Sequence, residues 1–157
     1  MINNREAGGL RRSPFHILSE TEIEHLQNEI TAIEADEGVF AFNEGRFTGY
    51  INERDTINVK GNVFPSGDDS IHPRDLMSER AVLAHEYYGH RAYRNTDLQD
   101  GSWNDEFRAS YMAAKKTPNL NDNDRRYLIL DAVERAKEAG VTITYNDFMR
   151  RIVYGEE

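Results

Sequence analysis

The residues best suited to chemistry in this 157-residue chain are His85 and His90, with Glu86 directly after the first histidine. Two histidines four residues apart on a helix, with a glutamate after the first, form a familiar zinc-binding arrangement. Here the histidines are five residues apart. Five residues of a regular helix turn through about 500°, so the second imidazole would point away from the first. The spacing therefore predicts a local π-bulge, with Gly89 accepting the altered backbone.

A third ligand is expected on the helix that follows the two histidines. Catalytic zinc sites use three protein ligands, for example two histidines and a carboxylate, and leave a fourth position to water. The segment from Ser102 to Lys116 is predicted to be helical, and Glu106 lies in its first turn. We therefore expect His85, His90 and Glu106 to hold one zinc ion per chain. The alternatives for the third ligand are Asp97, Asp100, Asp105 and Asp131.

The two segments together resemble the zinc site of the dipeptidyl-peptidase III family of metallopeptidases. That family has the same extra residue in its His-Glu-x-x-Gly-His motif, and its third ligand comes from a Glu-Glu-x-Arg-Ala-Glu motif. Carried over position by position, the resemblance implies that His85, His90 and Glu106 hold zinc. It also implies that Glu86 is the general base of a peptidase.

This resemblance covers only positions 85 to 110, and it departs from the family at two of them. Asp105 and Ser110 stand where that family has the first and last glutamates of its second motif. The two motifs are also much closer together here, so the likeness concerns the site and implies no substrate. The same segment resembles metallopeptidase-type toxin modules at the ends of bacterial secreted proteins, for which an inhibitory partner protein is expected.

Hydrolysis of a peptide bond by metal-activated water is the activity that these residues favour. Bound zinc lowers the pKa of water and polarises a carbonyl group, and Glu86 would carry the proton to the leaving nitrogen. Asp105 is expected to orient an imidazole. Arg108 is expected either to pair with Glu106 or Asp131 or to form an ordinary salt bridge on the helix surface. A non-catalytic helical binding module, with these polar groups bonded only to one another, is the alternative from another class.

The net charge and the amino-acid composition exclude several classes of binding partner and of metal site. A net charge of −9 argues against nucleic acid and against an anionic membrane surface, and no apolar run approaches the length of a membrane span. The absence of cysteine excludes disulfides and thiolate metal sites. The start of the chain lacks the apolar stretch of a signal peptide, so we expect a cytoplasmic protein or export without a cleavable signal. The expected partner is a peptide or protein substrate.

The elements that position these residues are predicted to form one α+β domain, mainly helical and zincin-like, over residues 1–157. Residues 1–18 are expected to form a loose N-terminal arm. Three short strands separated by turn residues predict a small antiparallel sheet next to the metal-binding helices, over residues 39–42, 46–51 and 56–59. Helical periodicity and capping residues predict helices over residues 20–36, 78–93, 103–116 and 124–139, with a last short helix after Thr144.

Overall fold

The computed structural model describes residues 11–66, 72–95 and 98–155, and helices dominate it. A small three-stranded sheet accompanies them, so the prediction of a mainly helical α+β fold is confirmed. The helices are α1 (Glu20–Ala32), α2 (Pro73–Leu76), α3 (Glu79–Ala84), α4 (Trp103–Lys116), α5 (Asp122–Glu138) and α6 (Asp147–Tyr154). The strands are β1 (Phe40–Phe42), β2 (Gly49–Ile51) and β3 (Thr56–Val59).

Capping residues account for the ends of the helices beside the site. Ser102 accepts a hydrogen bond from the backbone of Asp105, which is the usual N-cap arrangement, and α4 begins at the next residue. The helix ends at Lys116, directly before Thr117 and Pro118, because the residue before a proline disfavours helical geometry. The bounds predicted for α4 are therefore confirmed.

The sheet is mixed, and the prediction of an antiparallel sheet is wrong. Strand β3 lies in the middle, parallel to β1 and antiparallel to β2. The connection between β1 and β2 does not close a hairpin because both of its ends bind elsewhere. The Asn43 side chain exchanges two hydrogen bonds with the backbone of Leu18 (2.8 and 3.1 Å), and Thr48 binds the Asn62 side chain through its amide and its hydroxyl (3.0 and 2.9 Å).

Residues 11–18 are attached to the domain, in contrast to the loose arm that we predicted for residues 1–18. The guanidinium of Arg11 is buried and donates to four backbone carbonyls, those of Asn62, Val63, Arg74 and Met77. Residues 1–10 lie outside the described part of the chain.

The apolar core lies between the helices and one face of the sheet. Leu26 and Ile30 of α1, Leu83 of α3 and Leu128 of α5 are fully buried there, together with Ile57 of β3. Helix α4 packs between α5 and the segment that carries the two histidines. Among the described residues, no helix combines the length and the hydropathy of a membrane span.

Candidate metal centre

The segment that carries both histidines is a single turn of π-helix, His85–His90, continuous with α3. The backbone amide of Arg91 donates to the carbonyl of Glu86, five residues earlier, which is the bond that defines a π-helix. The wider turn brings the imidazoles of His85 and His90 to the same side, with ring centres 4.7 Å apart. The π-bulge that the histidine spacing predicts is therefore present.

Gly89 is required for close packing of the π-turn against α4, and not for an unusual backbone conformation as we predicted. It is not among the residues with positive φ, so its backbone geometry is open to any amino acid. A Cβ atom at this position would lie 2.4 Å from the carbonyl oxygen of Ala109 and 2.7 Å from its Cα atom. Glycine is needed because the π-turn and α4 touch here through their backbones.

The side chains of His85, His90 and Glu106, called the ligand triad below, converge on one point. Glu106 Oε1 lies 3.1 Å from His85 Nε2 and 3.3 Å from His90 Nε2. All three ligand atoms lie within 4.8 Å of one another. Atoms bound at about 2.0–2.2 Å around a tetrahedral zinc ion stand roughly 3.3–3.6 Å apart. The donor types and their separations therefore fit a zinc ion.

Each imidazole is held from behind through its other ring nitrogen. His85 Nδ1 lies 2.8 Å from Ser110 Oγ, and the Ser110 hydroxyl donates to the carboxylate of Asp131 at 2.6 Å. His90 Nδ1 lies 3.6 Å from a carboxylate oxygen of Asp105. Outer partners of this kind fix the orientation of a metal-binding imidazole and leave Nε2 for the metal.

Arg135 of α5, and not the predicted Arg108, is the cation beside Glu106. Its guanidinium lies 3.6 Å from Glu106 Oε1 and donates to the buried carboxylate of Asp131. Arg108 instead pairs with Asp105 at 3.3 Å. This pair is the ordinary salt bridge along the helix that the sequence also allowed, as the alternative to a pairing of Arg108 with Glu106 or Asp131.

The candidate general base, Glu86, is almost completely buried and adjoins the sheet. Its Oε1 atom accepts a hydrogen bond from the backbone amide of Tyr50 at 3.0 Å. Burial raises the pKa of the Glu86 carboxyl, although the neighbouring imidazoles oppose this shift. A carboxyl group whose pKa lies closer to neutrality is better able to exchange a proton during catalysis.

Two members of the ligand triad, His90 and Glu106, have pKa values displaced in opposite directions. Burial would lower the pKa of His90, but the carboxylates of Asp105 and Glu106 outweigh it and raise that pKa well above its usual range. Burial would raise the pKa of Glu106, but the two imidazoles and the charge of Arg135 hold it well below its usual range. Glu106 is consequently an anion, as a metal ligand must be.

A cleft of about 300 Å³ opens onto these groups. Its lining includes Gly49 and Tyr50 of β2, the ligand triad, Glu86 and Arg135. The metal position therefore adjoins a space that small molecules or a short stretch of chain could enter.

The aspartates that were alternatives for the third ligand are not part of the ligand triad in the described structure. Asp105 lies behind His90, Asp131 lies behind Ser110, and Asp100 lines the cleft. Asp97 lies outside the described residues. A second group that could hold a metal, formed by His72, Glu134 and Glu138, lies apart from the cleft lining, and Glu138 is already paired with Arg74 at 2.8 Å.

Sequence reasoning missed two contributors to the site, Arg135 and the Ser110–Asp131 pair. One signal for them was present in the sequence. Asp131 and Arg135 fall beside Leu128 and Ala132 on the buried side of α5, and charged residues are rarely buried unless they are paired. Ser110 gave no such signal, because a buried serine is common in helices.

No family model, no curated protein and no solved structure matches the chain. The function is therefore inferred from the geometry of the site.

Proposed function

We propose that this protein is a zinc-dependent peptidase. The observation that carries the proposal is the convergence of His85 Nε2, His90 Nε2 and Glu106 Oε1, with separations of 3.1 and 3.3 Å about Glu106. These separations are close to the edges of a zinc coordination tetrahedron, which are roughly 3.3–3.6 Å long. The two histidines and one carboxylate are also the ligand set of known hydrolytic zinc sites.

The chemistry that zinc supplies when bound is a water of near-neutral pKa and a polarised carbonyl group. Glu86 stands directly after ligand His85, so its carboxylate reaches the cleft beside the metal position. It accepts a proton from the attacking water and delivers it to the nitrogen of the leaving amine. The hydrogen bond from Tyr50 keeps the Glu86 side chain turned toward the cleft during both transfers.

The edge of the sheet supports a peptide as the substrate. Among the described residues, strand β2 lies at the edge of the sheet and lines the cleft. An extended peptide can add to an edge strand through main-chain hydrogen bonds. The Tyr50 amide is already bonded to Glu86, so such a peptide would use other backbone groups of this edge. A substrate aligned along β2 would pass the catalytic glutamate and the metal position within the same cleft.

The first test is elemental analysis of protein purified without added metal. We expect about one zinc per chain in the wild type and none in His90→Ala or Glu106→Ala. Glu134→Ala is the matched control, because Glu134 belongs to the second, separate group of candidate ligands. Loss of zinc from the control with retention in Glu106→Ala would move the site to that second group.

The second test separates metal binding from catalysis. Glu86→Gln keeps the size of the side chain but removes the base. We expect this variant to retain zinc and to lose about 10²- to 10⁴-fold of the peptidase rate on a mixed peptide library, read by mass spectrometry. A zinc-loaded wild type that cleaves no peptide would overturn the peptidase proposal, and a Glu86→Gln variant as active as the wild type would overturn the role of Glu86 as the base.

A further inference from the structure

We propose that Ser110 and Asp131 form a hydrogen-bond relay that fixes which nitrogen of His85 carries a proton, and so makes Nε2 the metal-binding atom. The inference rests on the proposed zinc site. It assigns a positioning role to a serine of α4 and an aspartate of α5, neither of which belongs to the ligand triad.

The Asp131 carboxylate determines which groups of the relay donate hydrogen bonds and which accept them. The carboxylate of Asp131 can only accept hydrogen bonds, so the hydroxyl proton of Ser110 lies on the 2.6 Å contact to Asp131. Ser110 Oγ is then an acceptor on its other side. His85 Nδ1, 2.8 Å away, must therefore be a protonated donor.

Protonation at Nδ1 determines the state of Nε2. A neutral imidazole with a proton on Nδ1 has a lone pair on Nε2. That lone pair faces the carboxylate oxygen of Glu106 at 3.1 Å, so a cation between the two atoms is required for a favourable contact. A metal ion held by both atoms would supply that positive charge.

Asp131 can act in this way because its charge is balanced within the protein. Its side chain is fully buried, and Arg135 donates to it at 3.1 Å while Arg74 lies 3.7 Å away. Arg135 also reaches the triad at Glu106. The relay and this arginine thus connect His85 and Glu106 through α5, which limits the movement of one ligand relative to the other.

A second serine–aspartate pair provides a matched control. Ser78 donates to Asp124 at 2.7 Å, and this bond also ends on a buried aspartate of α5. The Ser78 oxygen accepts from the backbone of Ala81 instead of from a histidine. Ser78 is also the N-cap of α3, so Ser78→Ala shows what loss of such a bond does to that helix without removing a contact of the triad.

The experiment measures zinc affinity by competition with a chelator. We expect Ser110→Ala and Asp131→Asn to weaken binding about 10- to 100-fold, as loss of an outer partner does. The amide of Asp131→Asn would also reverse the relay and favour a proton on Nε2 of His85. Ser78→Ala and Asp124→Asn should bind zinc as tightly as the wild type. Equal affinity of Ser110→Ala and the wild type would overturn the relay while the zinc site stands.

Nitrogen-15 NMR of the histidine rings supplies a reading that needs no zinc. We expect His85 Nδ1 to be protonated in the wild type, with zinc and without it, and to lose its protected proton in Ser110→Ala. An unprotonated Nδ1 in the wild type would overturn the relay. If the wild type binds no zinc, the proposed function fails, and this spectrum still decides on the relay. Ser110→Ala also decides the matter if Asp131→Asn fails to fold.

Discussion

The two histidines of the ligand triad are supported in different ways. His85 is buried and is held by a neutral hydroxyl, with the carboxylate of Asp131 one bond further back. His90 lies nearer the rim and faces the carboxylate of Asp105 directly. Asp105 also accepts a hydrogen bond from the backbone amide of Gly101 at 2.9 Å. The position of His85 therefore depends on the packing of two helices, and that of His90 depends on the chain that leads into α4.

The largest loss of stability and of zinc affinity is expected at Gly89, because the contact of the π-turn with α4 positions both histidines. In Gly89→Ala the new methyl group would overlap backbone atoms of Ala109, so the π-turn must move away from α4. We expect unfolding by denaturant to show a loss of about 1–3 kcal/mol and zinc affinity to fall steeply. Gly89→Ala should affect the positions of His85 and His90 alike, because the whole π-turn moves.

Gly49→Ala is the control for that substitution. A Cβ atom at Gly49 would meet only the ring of Phe47, at an ordinary distance of 3.8 Å. We expect its stability to stay close to that of the wild type. A Gly89→Ala protein with wild-type stability and zinc content would mean that the π-turn and α4 can separate at no cost.

An intermediate loss of zinc affinity is expected from substitution of Asp105, which supports His90 but not His85. Asp105→Ala removes the carboxylate behind His90, so zinc affinity should fall about 10- to 100-fold. The same change frees the amide of Gly101, and its hydrogen exchange should become faster. Asp131→Asn should weaken zinc binding without changing exchange at Gly101. Faster exchange in Asp105→Ala together with unchanged zinc affinity would show that Asp105 serves only the connection.

The smallest effect on zinc affinity is expected from substitution of Asp55, an exposed residue that contacts the neighbour of His90. Asp55 binds the guanidinium of Arg91, next in sequence to His90, and accepts from the Tyr50 hydroxyl at 2.8 Å. Burial and the carboxylate of Asp55 raise the pKa of Tyr50 to about 12. Because a nearby anion opposes ionisation of a phenol, Asp55→Asn should lower this pKa and leave zinc affinity unchanged.

Asparagine suits position 55 because Asp55 has a positive φ of 48°, which asparagine tolerates. NMR titration of labelled tyrosine measures the pKa of Tyr50. Asp147→Asn, which breaks the separate exposed pair with Arg150, is the control and should not change it. A clear loss of zinc affinity in Asp55→Asn would extend the support of His90 to the protein surface.

The parts of the site that could be predicted from sequence are those set by local rules. The spacing of His85 and His90 predicts the π-turn, because only a wider turn brings them to one side. Ser102 and Pro118 bound α4 through capping and backbone geometry, and this puts Glu106 in the first turn, facing the histidines. Each of these inferences uses residues within about one helix length of one another.

The features that sequence reasoning missed depend on contacts between distant segments. Ser110 meets Asp131 across the interface of two helices, and nothing in the neighbourhood of either residue specifies that pairing. The parallel pairing of β1 and β3 was missed for a similar reason. The turn residues after β1 predict a hairpin, but Asn43 is bound to Leu18, which lies just before α1 and far from the sheet in sequence.

The π-turn has a consequence for the gene. A turn of π-helix holds one residue more than the α-helical turn it replaces, so the gain or loss of one codon converts one form into the other. The extra residue lies within His85–His90, and α3 runs into this turn without a break. A histidine spacing of five residues in a π-turn can thus present the same ligands as a spacing of four in an α-helix, and a single inserted or deleted codon separates the two forms.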